Sequence, residues 1–249
     1  MDKLSQRKIV LVTRKTRLDD LVMRYNTIDQ ARFYIEHMGN DFSDYIREDT
    51  VYKRVVTSIT EMLSMFGLLQ VLDRIYVPTY IFGKNDIVVV VGQDGLVANT
   101  LKYLDEQMVI GVNPDPDRWD GVLLHFSEVD IPAIMKDVLG NRRSYHGITM
   151  AKAELNDGQV LYGVNDLFIG QKTHVSSRYE LSYHEKIEFQ SSSGIIVSTG
   201  LGATGWFKSI IKGAGNIAAQ INGEDLKHVE FNVNSDFLYF SVREPFPSK

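Results

Sequence analysis

The chain has 249 residues, of which 44% are hydrophobic and none is cysteine, and its formal net charge is −5. This apolar content suffices for one long or two short domain cores without covalent cross-links. The lack of cysteine excludes disulfide frameworks, cysteine-ligated zinc or iron–sulfur sites and thiol nucleophiles. With 27 basic against 32 acidic residues, the charge balance argues against nucleic acid as a partner.

No segment has the pattern of a membrane span or a targeting sequence. The longest apolar run, Ile87 to Val91, is far shorter than the roughly 20 residues that a membrane-spanning helix needs. The first residues, MDKLSQRKIVLV, have neither the pattern of a secretory signal nor the Arg- and Ser-rich character of a transit peptide. We therefore expect a cytoplasmic protein with no membrane partner.

The first half of the chain alternates apolar runs of strand length with stretches of helical periodicity. The predicted strands are Lys8–Thr13, Val71–Val77, Ile87–Val91 and Met108–Val112. The predicted helices are Leu18–Met38, a long helix whose apolar face runs from Val51 to Leu69, and Val97–Leu104. This alternation predicts an α/β domain, Rossmann-like, with a doubly wound and mostly parallel sheet.

After a helical stretch at Glu128–Leu139, the pattern changes to short β-rich runs separated by turns. These runs are 147–155, 159–169, 175–183, 186–189, 195–199, 229–233 and 237–242. Asp157-Gly158 predicts a hairpin with positive φ at both central residues. We place a domain boundary after residue 142, giving an α/β domain at 1–142 and a β-rich domain at 143–249.

The first candidate site follows the buried run IVVVV, where Gly92-Gln93-Asp94-Gly95 leads into a helix. Glycines at the carboxyl end of a strand let backbone N–H groups point at an anion, and the helix N-terminus adds a favourable dipole. Asp94 in this turn would serve as a general base or orient phosphate-bound Mg²⁺. The alternative is an ordinary strand-to-helix turn with Asp94 as the helix N-cap.

The next strand ends at Asn113, and its carboxyl end should lie on the same edge of the sheet as Asp94, where open α/β sheets bind ligands. The aspartates that follow suggest a calcium loop, but Trp119 stands where a ligand is needed and no glutamate closes the loop. The six histidines show no metal-ligand spacing. We therefore expect no protein-ligated metal.

A cationic segment, Arg14-Lys15-Thr16-Arg17, follows the first predicted strand. These side chains would assist phosphate binding at the same edge of the sheet. The alternative is a solvated loop, which is the usual role of a short run of charges.

A third candidate site is Asn165-Asp166, which interrupts a β run. Adjacent side chains on a strand point to opposite faces, so one polar group is directed inward unless the strand bulges or ends there. Hydroxyls or a base edge of a ligand would satisfy such a group. A turn or bulge that uses Asn-Asp is the alternative.

A fourth candidate site has glycines in a G-x-G-x-x-G frame at Gly200, Gly202 and Gly205. We do not interpret it as a Rossmann fingerprint, because it lies in the β-rich half and the acids about 20 residues on, Glu224 and Asp225, are in a turn-like sequence. A loop that brings backbone and Trp206 close to a ligand fits better. A packing turn is the alternative.

Together, these segments occur in an order that resembles the NAD kinase family, and within it most closely the mitochondrial-type branch. The resemblance covers nearly the whole chain, through RYNTID, FYIEHMGNDFSDYIRE, GQDG, GVNPDPDRWDG, VNDLFIG, SSRYELSY, SSGIIVSTGLGATGWFKSI and FSVREPFP. The combination is more specific than any single motif.

The resemblance implies that 1–142 binds nucleotide and that 143–249 binds NAD. The implied reaction uses ATP with Mg²⁺ to phosphorylate the 2′-hydroxyl of the adenosine ribose of NAD, giving NADP. It further implies a homodimer or larger assembly. Relatives continue beyond the FSVREPFP run with further strands, so we expect a shortened C-terminus.

The family's Gly-Gly-Asp-Gly loop matches Gly92 to Gly95, which implies that Asp94 is the base and that Gly92, Gln93 and Gly95 contact phosphate. The family's Asn-Glu pair, which binds the adenosine moiety, matches Asn165 and Asp166. The other implied nucleotide contacts are Asn113, Ser198, Thr199, Gly202, Thr204 and Trp206.

In or next to these motifs, this chain departs from the family pattern at three residues. Gln93 replaces the second glycine of the loop, Leu96 replaces a threonine, and Asp166 is one methylene shorter than the family's glutamate. Two alternatives therefore stand beside NAD kinase activity. One is a kinase of the same fold that acts on a sugar or lipid hydroxyl, and the other is a non-catalytic, nucleotide-binding regulatory protein.

Overall fold

The structure, a computed structural model, describes residues 7–222 and 231–246. The chain divides into two units, Met1–Tyr145 and His146–Lys249. The acidic pair Glu224 and Asp225 lies outside the described residues, as do positions 229 and 230 of the predicted strand 229–233. Residues 231–233, which are described, are not in a strand.

The first unit contains a four-stranded parallel sheet. Its strands are β1 (Lys8–Thr13), β2 (Leu68–Asp73), β3 (Ile87–Val91) and β4 (Met108–Val112), in the order β2-β1-β3-β4. All three strand pairs are parallel. β3 is buried along its whole length, as expected for a central strand that is covered on both faces. The predicted doubly wound α/β architecture is confirmed.

The helices of this unit are α1 (Arg17–Tyr25), α2 (Ile28–His37), α3 (Ser43–Ser64), α4 (Asp94–Leu101) and α5 (Ile131–Leu139). α3 and α5 cover one face of the sheet and α4 the other, whereas α1 and α2 pack with the start of α3 in a separate apolar cluster. Alternate residues of the central strands face opposite sides: Val89 belongs to a core that α3 and α5 complete, and Val90 to a core that includes residues of α4.

The prediction of a single helix over Leu18–Met38 is wrong, because this segment forms two helices, α1 and α2. Asn26 has φ +66°, a left-handed conformation that asparagine tolerates better than most residues. Thr27 then caps α2, its hydroxyl accepting the N–H of Gln30 at 3.1 Å. Hydrophobic periodicity runs through such a break, so it does not reveal the cap.

The long helix predicted as far as Leu69 ends earlier, at Ser64, and Leu69 belongs to β2. The predicted strand Val71–Val77 is also displaced, because β2 ends at Asp73, whose carboxylate accepts the N–H of Ile75 at 2.9 Å. That contact starts a 3₁₀ turn over Arg74–Thr79. The predicted helix Val97–Leu104 begins and ends three residues earlier, as α4.

The second unit is built from short antiparallel strands. They are β5 (Ala151–Glu154), β6 (Val160–Gly163), β7 (Asp166–Ile169), β8 (Ser177–Tyr183), β9 (Lys186–Ser192), β10 (Gly194–Ser198) and β11 (Tyr239–Arg243). They pair as β5-β6, β8-β9 and a three-stranded sheet in the order β11-β10-β7. A long helix, α6 (Trp206–Asn222), follows β10. The prediction of a β-rich second half is confirmed.

The predicted hairpin forms between β5 and β6, which pair from Glu154 opposite Val160. Its turn differs from the prediction, because Gly158 has φ +86° and Asp157 does not have positive φ. The Asp157 carboxylate accepts the N–H of Gln159 at 3.0 Å, which stabilises the looser turn.

Within residues 7–222 and 231–246, no helix is both long and apolar enough to cross a membrane.

Candidate functional site

The turn between β3 and α4 lies at the carboxyl edge of the parallel sheet. A Cβ on Gly92 would lie 2.8 Å from Cδ2 of Leu96, so the position requires glycine or movement of that side chain. Gln93, not Asp94, is the helix N-cap, and its carbonyl accepts the N–H of Leu96 at 2.8 Å. The prediction that Asp94 caps the helix is therefore wrong. Asp94 is the first helical residue.

Both oxygens of the Asp94 carboxylate accept backbone N–H groups from the loop that follows β4, residues 113–124, which we call the returning loop. Val122 donates to Oδ2 at 2.9 Å and Leu123 donates to Oδ1 at 2.8 Å. Two bonds to a half-buried carboxylate fix its orientation and leave lone pairs on each oxygen for a further donor. Gly95, the next residue, is exposed and has open space around it.

The returning loop, residues 113–124, lies directly against β4. A Cβ on Gly111 would stand 2.1 Å from the carbonyl oxygen of Leu123, so only glycine permits this approach. Asn113 is buried, and its side chain is used within the loop: Nδ2 donates to the Trp119 carbonyl at 2.6 Å and Oδ1 accepts the N–H of Asp115 at 3.1 Å. Asn113 thus shapes the loop that holds Asp94.

The cationic segment after β1 reaches the same edge of the sheet. The side chain of Arg14 is 8% exposed and donates to Glu48 at 2.9 Å. Its guanidinium lies over the ring of Tyr52, whose hydroxyl donates to the carbonyl of Val91 at 3.0 Å. Nε of Arg14 is buried without a hydrogen-bond partner among the described residues, 3.7 Å from where a Cβ on Gly92 would stand.

Two arginines, Arg17 at the start of α1 and Arg118 in the loop after β4, share the carboxylate of Asp44, in the first turn of α3. Arg118 makes two bonds, at 2.8 and 2.6 Å, and Arg17 makes one at 2.8 Å. Arg118 and then Arg17 lower the pKa of Asp44 to about 2. Burial would raise the pKa of Glu48, but Arg17 and Arg14 outweigh it and the pKa is lowered.

These ion pairs were not predicted from the sequence. Arg14 and Arg17, expected to contact phosphate, instead pair with carboxylates of α3. Asp44 and Glu48 are spaced four apart on a helix, and that spacing was the available signal.

In the second unit, β6 ends at Gly163 and β7 begins at Asp166, so the strand run is interrupted at Val164-Asn165 and Asp166 is the first residue of β7. Asn165 is exposed, and its carbonyl accepts the N–H of Thr199 at 2.9 Å. Oδ1 of Asp166 is buried and has no hydrogen-bond partner among the described residues. Burial raises the pKa of Asp166, and the Ser198 hydroxyl opposes part of that rise.

The fourth candidate segment, residues 198–206, which we call the glycine segment, packs directly on Asp166. A Cβ on Gly202 would lie 2.2 Å from the Asn165 carbonyl oxygen and 2.6 Å from Oδ1 of Asp166, so the position requires glycine. Ser198 and Thr199 are fully buried, and the Thr199 hydroxyl donates to the Val164 carbonyl.

Other members of the segment differ in exposure. The Thr204 hydroxyl donates to the Leu201 carbonyl at 3.1 Å, within the same turn. Trp206, by contrast, is 41% exposed, and its ring lies 5.5 Å from that of Phe168. The structure thus brings Asp166, Gly202 and Trp206 together and uses Ser198 and Thr199 as internal anchors.

No group of His, Asp or Glu side chains within the described residues is arranged to hold a metal ion. An open depression of about 540 Å³ on the first unit lies away from the candidate site, since it is lined by segments that precede β3 and β4, including Tyr80, Phe82 and Tyr103. Those segments are at the amino ends of the strands, opposite Asp94.

No family model matches the sequence, and a search of curated proteins found no match. Solved structures do match. An NAD kinase from Archaeoglobus fulgidus in complex with ATP is 14% identical, with a TM-score of 0.50, over 97% of this chain and 74% of that chain. Yeast NADH kinase complexed with NADH is 12% identical, also with a TM-score of 0.50, over 98% of this chain and 67% of that chain.

Identity at this level shows fold alone, and neither neighbour supports the mitochondrial-type branch in particular. The parallel sheet with its helices and the antiparallel second unit match the architecture of both solved structures. The chain therefore has the NAD kinase-like two-domain fold.

Proposed function

We propose that this protein is an NAD kinase-like phosphotransferase, which moves the γ-phosphoryl group of ATP to the 2′-hydroxyl of the adenosine ribose of NAD. The observation that carries the proposal is the turn from Gly92 to Gly95, with an aspartate oriented by two backbone amides at the start of a helix. The two solved neighbours support it, because one is described with ATP and the other with NADH.

In this proposal residues 1–142 bind ATP and 143–249 bind NAD. The helix dipole of α4 and the first N–H groups of the helix favour a phosphate beside Gly95. Leu96 and Val97 already donate to Gln93, whereas Asp94 and Gly95 precede them in the first turn. The exposed backbone at Gly95 lets a phosphate approach closely.

Asp94 would accept the proton of the attacking hydroxyl. Phosphoryl transfer asks for positioning and charge stabilisation more than covalent chemistry, so an oriented carboxylate and backbone amides supply what the protein contributes. Magnesium, bound together with ATP, would neutralise charge on the phosphates.

The replacement of the family's second glycine by Gln93 is compatible with this role. Gln93 has φ −119° and ψ 161°, an extended conformation that any residue adopts, so its backbone is unstrained. Leu96, in place of the family's threonine, is buried against Gly92 and fills the core beside the turn. On the sequence segments alone, we also keep the mitochondrial-type branch and a homodimer or larger assembly in the proposal.

The test is NADP formation by purified protein with Mg-ATP and NAD, beside Asp94→Asn. Asparagine removes the charge of the base and also one of the two oxygens that accept backbone amides, and loss of general base catalysis lowers kcat by about 100-fold or more. The matched control is Asp120→Asn, an exposed aspartate of the loop that donates to Asp94, which should leave kcat unchanged. NADP formation that is insensitive to Asp94→Asn would overturn the assignment of the base.

One observation favours a second candidate, a non-catalytic nucleotide-binding protein. The two amides on Asp94 give this carboxylate a structural task that needs no catalysis. ATP binding without phosphorylation of NAD would support this candidate. Parallel assays with sugars and lipids would show whether another hydroxyl is the acceptor.

A further inference from the structure

The face of the three-stranded sheet that carries Asp166 also carries an arginine. Residues two apart on a strand point to the same face, so Asp166 and Phe168 share one face of β7. Phe168 is opposite Ile196, and Gly194, two residues before it on the central strand, is opposite Arg243 of β11. The register therefore places Arg243 on the face that holds Asp166.

The Arg243 guanidinium lies over two aromatic rings. It is 5.7 Å from the ring centre of Phe168 and 5.0 Å from that of Trp206. Gly194 is needed for this arrangement, because it has φ +113° and a Cβ there would lie 2.9 Å from Cε2 of Phe168. The backbone of the central strand thus makes room for the aromatic ring that contacts the arginine.

This cluster is accessible and its cation is weakly paired. Phe168 and Trp206 are each 41% exposed. Among the described residues, the acid recorded with Arg243 is Glu244, at 3.3 Å, and Glu244 is 68% exposed. A pair with such an exposed acid contributes little, and within residues 7–222 and 231–246 the guanidinium donates to no other acceptor. The Arg243 side chain is 24% exposed, and its planar fork matches a phosphate.

At the opposite end of the cluster, one oxygen of the Asp166 carboxylate has no hydrogen-bond partner among the described residues. Oδ1 of Asp166 is buried without a partner, and Oδ2 lies 3.9 Å from where a Cβ on Gly205 would stand, next to Trp206. A hydroxyl would satisfy the carboxylate, an aromatic ring would stack on Trp206, and an anion would bind Arg243. Those three groups occur together in a nucleotide.

We propose that Arg243, with Phe168 and Trp206, is a phosphate-binding subsite for an adenine nucleotide, in which the guanidinium exchanges Glu244 for phosphate oxygens. This inference rests on the proposed function only in that the ligand is a nucleotide. The phosphate has two sources, the 5′-phosphate of the adenosine in NAD or the 2′-phosphate that the proposed reaction adds. The experiment distinguishes them.

The experiment uses the fluorescence of Trp206 in the Trp119→Phe background, since these are the two tryptophans of the chain. Adenosine, adenosine 5′-monophosphate and adenosine 2′-monophosphate are each titrated against this parent and against Arg243→Gln, Arg243→Lys and Glu244→Gln added to it. The matched control is Lys152→Gln, which removes the cation of another short-range surface ion pair, with Glu154 at 2.7 Å.

Loss of a charge-assisted bond weakens binding of one monophosphate by about tenfold in Arg243→Gln. Adenosine binding should change less than twofold, and Lys152→Gln should change nothing. Arg243→Lys should give an intermediate loss, because lysine keeps the charge without the planar fork. Glu244→Gln, at an exposed residue that tolerates change, should strengthen monophosphate binding and remains informative if Arg243→Gln does not fold.

Selective loss of the 5′-monophosphate identifies the adenosine 5′-phosphate of NAD as the ligand group, and selective loss of the 2′-monophosphate identifies the phosphate of the product. Equal losses for adenosine and both monophosphates, or no loss for any, would overturn the subsite. NADP formation is measured separately. A protein that binds a monophosphate through Arg243 but makes no NADP refutes the proposed function and leaves this inference standing.

Discussion

The two candidate aspartates, Asp94 and Asp166, stand in opposite states. Asp94 follows a parallel strand and has both oxygens bonded to backbone amides. Asp166 begins an antiparallel strand and has one buried oxygen without a partner among the described residues. A carboxylate held by two amides contributes to stability, whereas a buried carboxylate oxygen without a donor lowers it. In the first unit both oxygens of the candidate carboxylate thus have hydrogen-bond partners. In the second unit one oxygen has none, and a ligand would supply it.

Asp94→Ala should give the largest effect, because it removes both bonds that hold the returning loop. Two charge-assisted hydrogen bonds are worth roughly 3 kcal/mol together, so the free energy of unfolding should fall by about that amount. Urea unfolding measures it, with Asp120→Ala as the control from the same loop. A decrease in the free energy of unfolding below about 0.5 kcal/mol would contradict the view that the two bonds of Asp94 stabilise the loop.

Gly202→Ala tests the packing of the glycine segment on Asp166. The new Cβ would stand 2.2 Å from the Asn165 carbonyl oxygen, and overpacking of this kind costs about 1–3 kcal/mol. Gly213→Ala is the matched control, because it lies in α6 with open space around it and should raise stability by up to about 1 kcal/mol. Equal effects of the two substitutions on the melting temperature would contradict the close approach.

Asp166→Asn should act in the opposite direction to Asp94→Ala. Burial raises the pKa of Asp166 in the folded state, so its contribution to stability is fully present below the unfolded value of 3.8 and is lost as pH rises through the folded pKa. At pH 7 the neutral amide should therefore stabilise the protein, by less than about 1 kcal/mol. Near pH 3 the difference from wild type should vanish. Destabilisation by Asp166→Asn at pH 7 would contradict the view that the Asp166 carboxylate lowers the stability of the fold.

Asp44→Asn should have a similarly small effect. The pKa of Asp44 is held at about 2 by Arg118 and Arg17, so its stabilising contribution is present above pH 3.8 and is lost as pH falls through 2. The carboxylate is 43% exposed, and solvent screening limits the effect to about 1 kcal/mol or less. Unfolding at pH 7 and in high salt measures it, and a loss that salt does not reduce would argue against an electrostatic cause.

Local sequence signals predicted part of this fold well. β1, β3 and β4 begin and end where the apolar runs do, because a buried parallel strand is continuously apolar and bounded by turn residues. Helix ends were less well predicted. The break at Asn26 and the end of α3 at Ser64 depend on caps and packing that do not interrupt hydrophobic periodicity.

Some residues of the candidate site can likewise be predicted from the sequence and others cannot. Asp94 at a strand-to-helix turn, and Asp166 at an interruption of a strand, are recognisable from neighbouring residues alone. Phe168 could also have been predicted, because it is two residues from Asp166 on the same strand. Arg243 was not, because it joins Trp206 only through the register of β11 against β10.

The alternation of strands and helices, and the place of Asp94 after β3, can be predicted from neighbouring residues. They follow from local propensity and periodicity, which act over a few residues. The amides that hold Asp94, 28 and 29 residues away, and the burial of Oδ1 of Asp166 without a partner among the described residues depend on the folded chain. Such partners are chosen by how the chain folds back on itself, because a hydrogen bond requires atoms to be adjacent in space and not in sequence.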